Sequence, residues 1–194
     1  MLASGPMNPP PNLILVGPTG AGKTSIGRRL AEHLGLRFVD ADQQLEAQTG
    51  ASVSIIFECE GEAGFRARES ALIQDLGRQQ GLLLATGAGA VLDPANRSAM
   101  RAGGFVVHLD TGVDQQLVRL DKDRTRPLLQ TPDRRERLEA MARVRGPLYA
   151  EVADLRFESA DNAVTRATQA LLTQVLANWK RSDPTPPAPL ESTP

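Results

Sequence analysis

The sequence contains a single cysteine, Cys59, among 194 residues. One thiol excludes an internal disulfide and a zinc site built from cysteines alone. The only apolar run near the start, LILV at residues 13–16, is far too short to span a bilayer. The preceding MLASGPMNPPPN has no basic segment followed by an apolar one, so no secretory signal is predicted. We therefore expect a cytoplasmic protein without a membrane partner, and we interpret Cys59 as a packing residue.

The chain as a whole also lacks a large net charge. The formal net charge is −1, which gives no global attraction to nucleic acid, and no nucleic-acid partner is expected. Positive charge is concentrated locally, because residues 119–145 contain nine Lys and Arg against five Asp and Glu. This local surplus indicates an anionic small molecule as the ligand.

The length and the apolar pattern predict one α/β domain at residues 12–180. Pro-rich segments at 1–11 and 181–194 are predicted to be disordered tails. Short apolar runs alternate with amphipathic helical patterns, which is typical of a three-layer fold with a parallel sheet covered on both faces. The five predicted strands are 13–16, 37–40, 82–86, 105–109 and 154–157. Gly35 is expected to end the first helix.

Two further segments carry structural expectations. The last helix has an apolar stripe that ends near Trp179, and its members are Val164, Ala167, Leu171, Val175 and Leu176. Residues 121–137 are highly charged, contain two prolines and have no apolar stripe. A long charged excursion inside a compact α/β domain is usually a functional flap, and we predict a lid at about 121–135.

The stretch GPTGAGKT at residues 17–24 predicts a phosphate-binding loop. It follows a predicted strand and begins a predicted helix, which is the context that this motif requires. Its glycines allow successive N–H groups to converge on phosphate oxygens, and the helix N-terminus adds partial positive charge. Lys23 is expected to reach the outer phosphates, and the Thr24 hydroxyl to be a ligand of Mg²⁺. The residues predicted to bind ATP here are Gly17, Pro18, Thr19, Gly20, Ala21, Gly22, Lys23, Thr24 and Ser25.

Two carboxylates, Asp40 and Asp42, directly follow the second predicted strand. Ligands of open α/β sheets lie at the carboxyl ends of strands, so this pair is expected beside the phosphate loop. One carboxylate could serve the metal while the other accepts a hydroxyl proton. Spacing alone leaves another interpretation open, in which Asp40 caps the next helix with Gln43 as its partner. A second common signal of nucleotide-binding proteins is a run of four apolar residues that ends in Asp. Asp110, at the end of FVVHLD, fits this pattern only superficially.

Six collinear blocks make the chain similar to the shikimate kinase family over about residues 13–157. The blocks are LVGPTGAGKTSIGRRLAEHL, FVDADQQLE, FECEGEAGFRARE, LATGAGAVL, TRPLL and RGPLY. The resemblance implies a P-loop fold like that of nucleoside monophosphate kinases, with a lid. It also implies transfer of the ATP γ-phosphoryl group to the 3-hydroxyl of shikimate in aromatic amino-acid biosynthesis. We expect Mg²⁺ as cofactor and a monomeric enzyme.

The resemblance also assigns roles to individual residues of this chain. Asp42 corresponds to the substrate-binding aspartate and proposed base, and Asp40 to the aspartate that holds Mg²⁺ through water. Arg66 and Arg145 correspond to the pair that binds the shikimate carboxylate, a role that suits planar guanidinium groups. The remaining assignments are Phe57 and Phe65 beside the ring, Arg119 on the adenine, Arg126 as the lid arginine over the phosphates, and Gly87, Ala88 and Gly89 as the substrate loop. Glu69 is placed to orient Arg66 across one helical turn.

The chain departs from the family pattern at Ala88, where three consecutive glycines are usual. Alanine is tolerable there if its φ is negative, and we expect a negative φ. Two rival functions are considered: a gluconate or nucleotide kinase of the same fold, and a regulatory nucleotide-binding module without chemistry. The second would be expected to lack Lys23, Asp42 or Arg126, and all three are present. His33 and His108 have no metal-like spacing and are interpreted as structural.

Overall fold

A computed structural model describes residues 11–121, 133–158 and 163–179. Its strands are β1 (Asn12–Val16), β2 (Arg37–Asp40), β3 (Leu82–Ala85), β4 (Gly104–Asp110) and β5 (Leu155–Glu158). Its helices are α1 (Lys23–Leu34), α2 (Ala41–Thr49), α3 (Val53–Gly77), α4 (Pro94–Gly103), α5 (Val113–Leu120), α6 (Arg134–Val152) and α7 (Val164–Asn178), with a 3₁₀ turn at Ala90–Leu92.

The five strands form one parallel sheet in the order β2-β3-β1-β4-β5. All five apolar runs of the sequence are therefore strands, and the predicted parallel α/β fold is confirmed. The carboxyl ends of β1, β2, β3 and β4 meet at one edge of the sheet, with Asp40 of β2 opposite Ala85 of β3. The phosphate loop, Asp42 and residues 87–89 all begin at this edge.

Side chains of the central strands alternate between two hydrophobic cores, as the period of a strand requires. Ile14, Leu84 and Val106 face the core that they share with α2, α3, α4 and α6. Leu13 and Leu83 face the opposite core, which α1 and α7 cover. The sheet is thus buried on both faces, which explains why its strands are continuous apolar runs in the sequence.

The structure tests the predicted end of α1 and the predicted apolar stripe of α7. The predicted end of α1 is confirmed, because Gly35 adopts φ 62° and its N–H bonds to the last turn. The stripe of α7 is buried as predicted at Ala167, Leu171 and Val175. The prediction is wrong for Leu176, whose side chain is 62% exposed. Successive residues of a helix point about 100° apart, so Leu176 turns away from the core that buries Val175.

Helix α3 is broken at Gly61, which has φ 71° and ψ −178°. The break separates a first segment, which carries Phe57, from a second one, which carries Phe65 and Arg66. Cys59 lies in the first segment and is exposed, so the packing role predicted for it is wrong. The break could not be seen in the sequence pattern of this stretch. The exposure of the first segment, which depends on the break, was therefore not predicted either.

Several sequence-based expectations fall outside the described residues. The C-terminal tail at 181–194, nearly all of the N-terminal tail and most of the predicted lid, including Arg126, lie there. The last two lid positions, Arg134 and Arg135, lie in the first turn of α6. No helix within the ranges described is long and apolar enough to cross a membrane.

Candidate active site

The phosphate loop lies between β1 and α1, where the sequence predicts it. Gly17, Gly20 and Gly22 have φ values of 143°, 79° and 91°, in the region that side chains disfavour. At Gly17 a Cβ would also overlap the backbone carbonyl of Leu109. Glycine is therefore required at this position both for its backbone conformation and for the approach of β4.

Lys23 is the first residue of α1 and folds back over the loop. Its Nζ donates to the carbonyl oxygens of Gly17 and Pro18, at 2.7 and 2.8 Å. Ser25 is exposed one turn into the helix, and Ala21 is buried beneath the loop. The ammonium group is thus held at the mouth of the loop, where the outer phosphates of a nucleotide are expected.

Thr24 and Asp40 lie together at the start of α1 and the end of β2. The Thr24 hydroxyl donates to Oδ2 of Asp40 at 2.6 Å. These two oxygen groups suit Mg²⁺, which is typically bound by one or two carboxylates with waters and substrate phosphates. No cluster of three or more His, Cys, Asp or Glu that could hold a metal occurs in the described part of the chain. Thr24 and Asp40 therefore have the chemistry that a Mg²⁺ ion requires.

Asp40 also caps helix α2, so the capping interpretation is confirmed, and the predicted metal role stays a prediction. Its Oδ1 accepts from the N–H groups of Asp42 and Gln43, at 3.1 and 3.2 Å. The cap is Asp40 and not Asp42, whose side chain lies in the first turn of α2. A Cβ built on Gly87 would lie 3.4 Å from Oδ1 of Asp42, which places this carboxylate against the loop after β3.

Arg66 and Glu69 form an ion pair on α3 beside the same loop. Arg66 Nη1 lies 2.6 Å from Oε2 of Glu69, whose side chain is fully buried, while Nη2 lies 3.3 Å from Glu62. The predicted orientation of Arg66 by Glu69 is thus present. Burial raises the pKa of Glu69, the charge of Arg66 opposes this rise, and nearby Asp42 reinforces it. Within the described residues, Glu69 Oε1 and Arg66 Nε have no hydrogen-bond partner.

Phe57 and Phe65 lie next to this ion pair. Their ring centroids are 4.6 Å apart, and the Arg66 guanidinium lies 5.2 Å from the Phe65 centroid. Phe65 is buried and Phe57 is partly buried against the core. The two rings come from opposite sides of the Gly61 break, so the break brings them together.

The loop at Gly87, Ala88 and Gly89 has negative φ throughout, and the expectation for Ala88 is confirmed. At Gly87 and Gly89 glycine is favoured because neighbouring side chains occupy the place of a Cβ. A Cβ on Gly87 would overlap Oε1 of Glu69, and one on Gly89 would overlap the Arg66 guanidinium. Among the residues described, the backbone N–H groups of this buried loop have no acceptor. They are available to an anionic or hydroxyl-bearing ligand.

Arg145 and Tyr149 extend the site from α6. Together they line a small pocket with Pro18 and Thr19 of the phosphate loop. Arg145 is close enough to Glu69 for its charge to oppose the rise in the pKa of that carboxyl. The Tyr149 hydroxyl donates to the carbonyl oxygen of Ala88 at 2.5 Å. Tyr149 was not identified from the sequence, although its position one turn after Arg145 in RGPLY was a usable signal.

The nucleotide end of the site contains Arg119 of α5. Its Nη1 donates to the carbonyl oxygen of Gly20 at 3.0 Å, so it contacts the phosphate loop from outside. Asp110 does not join the site, because it pairs with Arg156 on the surface. His108 is buried, while His33 is exposed. The structure thus brings together Lys23, Thr24, Asp40, Asp42, Arg66, Gly87, Ala88, Gly89, Arg119 and Arg145.

Comparison with known proteins gives a consistent result. A family model described as shikimate kinase matches residues 19–176. A protein named shikimate kinase from Xanthomonas oryzae pv. oryzae is 53% identical over 176 residues, covering 91% of this chain and 98% of its own length. One from Stenotrophomonas maltophilia is 49% identical over 180 residues, covering 93% of this chain and 100% of its own. The solved structure of Acinetobacter baumannii shikimate kinase in complex with shikimate is similar with a TM-score of 0.83 and 44% identity, covering 89% of this chain and 95% of that one.

Proposed function

Because the chain belongs to the shikimate kinase family, we propose that it transfers the γ-phosphoryl group of ATP to the 3-hydroxyl of shikimate. One observation carries the proposal: Asp42 and Arg66 lie against the loop at 87–89, and Arg145 lines the pocket beside the phosphate loop. This arrangement offers a proton acceptor and two guanidinium groups to a small hydroxylated carboxylate. A nucleotide acceptor would need more room and contacts to its own phosphate.

At the nucleotide end, the loop N–H groups and Lys23 hold the phosphates, and Arg119 supports the loop from α5. Thr24 and Asp40 would hold Mg²⁺, which supplies neutralisation of charge on the phosphates when bound. Arg126 is proposed to add positive charge over the transferred group, a role that rests on the sequence alone.

At the acceptor end, Arg66 and Arg145 bind the substrate carboxylate and thereby fix the orientation of the ring. The N–H groups at 87–89 add fixed donors, and Phe57 and Phe65 supply an apolar wall. Asp42 accepts the proton of the attacking hydroxyl as that oxygen bonds to the γ-phosphorus, while the bond from this phosphorus to the β,γ-bridging oxygen breaks and ADP leaves. The buried Glu69 holds Arg66 in place and takes no part in proton transfer in this scheme.

The test is an ADP-release assay with purified protein, ATP and Mg²⁺. Shikimate is compared with gluconate, with other hydroxy acids and with nucleoside monophosphates. Turnover with shikimate at least a hundredfold above the others in kcat/KM is expected. Preferred turnover of gluconate or a nucleotide would favour the corresponding kinase, and ATP binding without any turnover would favour a regulatory module. We also propose a monomer, which sedimentation of the same sample would test.

A further inference from the structure

Tyr149 links two parts of the candidate substrate site that the sequence separates widely. It lies on α6, one helical turn after Arg145, and its hydroxyl donates to the carbonyl oxygen of Ala88 at 2.5 Å. The residue is 3% exposed, so this hydrogen bond is shielded from water. A single buried contact therefore joins the helix of Arg145 to the loop at 87–89.

Because Tyr149 donates to the Ala88 carbonyl, the hydrogen bond fixes the orientation of the peptide between Ala88 and Gly89. The carbonyl of Ala88 belongs to the same planar peptide as the N–H of Gly89, and the two groups point in opposite directions. Fixing the carbonyl toward α6 therefore aims the Gly89 N–H away from α6. Gly89 itself lies against the Arg66 guanidinium, so the fixed peptide faces the other half of the predicted carboxylate site.

The surroundings keep the Tyr149 hydroxyl in its donor form. Burial raises the pKa of Tyr149 to about 12, with the charge of nearby Arg145 opposing the rise. The ring packs against His108 at a centroid distance of 5.0 Å, which restricts its rotation. Tyr149 is thus protonated at neutral pH, and its hydroxyl lies between the Ala88 carbonyl and the Arg145 guanidinium.

We propose that Tyr149 is a positioning residue for the acceptor substrate: it sets the Ala88–Gly89 peptide and the helix of Arg145 in register around the substrate carboxylate. The inference rests on the proposed function. It explains why alanine is accommodated at 88, because this position contributes its carbonyl to Tyr149 and needs no free space. At residues 87 and 89, in contrast, a Cβ would displace the Glu69 carboxylate and the Arg66 guanidinium.

The test is Tyr149→Phe, which removes the hydroxyl and keeps the ring against His108. The KM for shikimate should rise about tenfold, equivalent to about 1.4 kcal/mol, because the Ala88 carbonyl loses its donor. The KM for ATP and kcat should each stay within about threefold. Titration calorimetry of shikimate binding without nucleotide should show the same loss of affinity.

The matched control is Val152→Ala, a buried α6 residue in the same hydrophobic core as Tyr149, where the change removes apolar packing and no hydrogen bond. It should lower Tm at least as much as Tyr149→Phe while leaving the shikimate KM unchanged. An unchanged shikimate KM in Tyr149→Phe, or parallel changes in kcat and both KM values that track Tm as in Val152→Ala, would overturn the inference. If the wild-type protein does not phosphorylate shikimate, the proposed function itself fails, which is a different result.

Discussion

The Thr24 hydroxyl lies 2.6 Å from Oδ2 of Asp40 and donates a hydrogen bond to it. This contact joins the start of α1, which follows β1, to the end of β2, and the sheet order places β3 between β1 and β2. The other oxygen of Asp40 caps α2 and so sets the direction of Asp42. One carboxylate therefore couples the phosphate loop to the helix that carries the proposed base.

Asp42→Asn is expected to lower kcat by roughly 10²–10⁴-fold, because it removes the proton acceptor from the acceptor site. The KM for ATP should change little, since the substitution leaves every residue of the phosphate loop in place. Asp114→Asn is a matched control, because Asp114 is also in the first turn of a helix but is exposed and pairs with Arg135. Steady-state ADP release measures both variants, and near-normal turnover of Asp42→Asn would remove the general base from the mechanism.

Arg66→Ala and Arg145→Ala should each raise the KM for shikimate, by an amount equivalent to roughly 2–5 kcal/mol for a broken buried charge pair. ATP binding without shikimate should be unchanged in Arg66→Ala. The control is Arg68→Ala, because Arg68 lies two residues further along α3 and pairs with Glu60 in solvent. If the shikimate KM is the same in both site variants as in Arg68→Ala, the carboxylate site is wrongly assigned.

The central layout of the fold and most of the site could be predicted from the sequence. The buried parallel sheet makes each strand a continuous apolar run, and the loop at 17–24 depends on contiguous residues. Contacts between distant segments could not be predicted. The Tyr149 hydrogen bond to Ala88 spans 61 residues, and the overlap that forbids a Cβ on Gly87 involves Glu69 of another helix. The break at Gly61 was also missed, because glycine inside an amphipathic pattern does not by itself reveal a positive φ.

Ala88→Gly is expected to leave kcat/KM for shikimate within a few-fold of wild type. The wild-type φ is already negative, so glycine relieves no strain at this position. Stability should fall by roughly 0.4–1 kcal/mol through the added freedom of the unfolded chain. Gly87→Ala and Gly89→Ala provide the contrast, because their Cβ atoms would displace Glu69 and Arg66, and both should lose most activity. A large gain in activity for Ala88→Gly would mean that alanine impairs the natural loop.

Lys23→Ala should abolish turnover while the protein remains folded. The Lys23 ammonium donates to two loop carbonyls, and the residue is not part of either hydrophobic core. Its loss removes the point charge proposed to act on the outer phosphates. Arg101→Ala, an exposed change at the end of α4, serves as the control and should retain full activity. Turnover of Lys23→Ala within tenfold of wild type, measured by ADP release, would contradict the assignment of the phosphate loop.

His108 should make the protein less stable as the pH falls below about 7. Burial lowers the pKa of His108 in the folded state, Asp110 opposes this effect, and Arg156 and Lys23 add to it. Tyr149 covers the ring from α6 at 5.0 Å and offers no negative charge. In the unfolded chain the imidazole has its ordinary pKa of about 6.5. Between this value and the lower folded one, the unfolded state binds more protons, so the free energy of unfolding decreases as the pH falls.

Urea unfolding at pH 5.5, 6.5 and 7.5 would measure this dependence in the wild type, in His108→Phe and in His33→Gln. His108→Phe keeps an aromatic ring against Tyr149 but cannot be protonated, so its stability should depend less steeply on pH. His33 is exposed on α1, and its removal should leave the wild-type dependence intact. The raised pKa of Glu69 acts in the opposite direction but is common to all three proteins, so it cancels in the comparison. An identical pH dependence in wild type and His108→Phe would mean that the buried imidazole binds its proton equally well in both states.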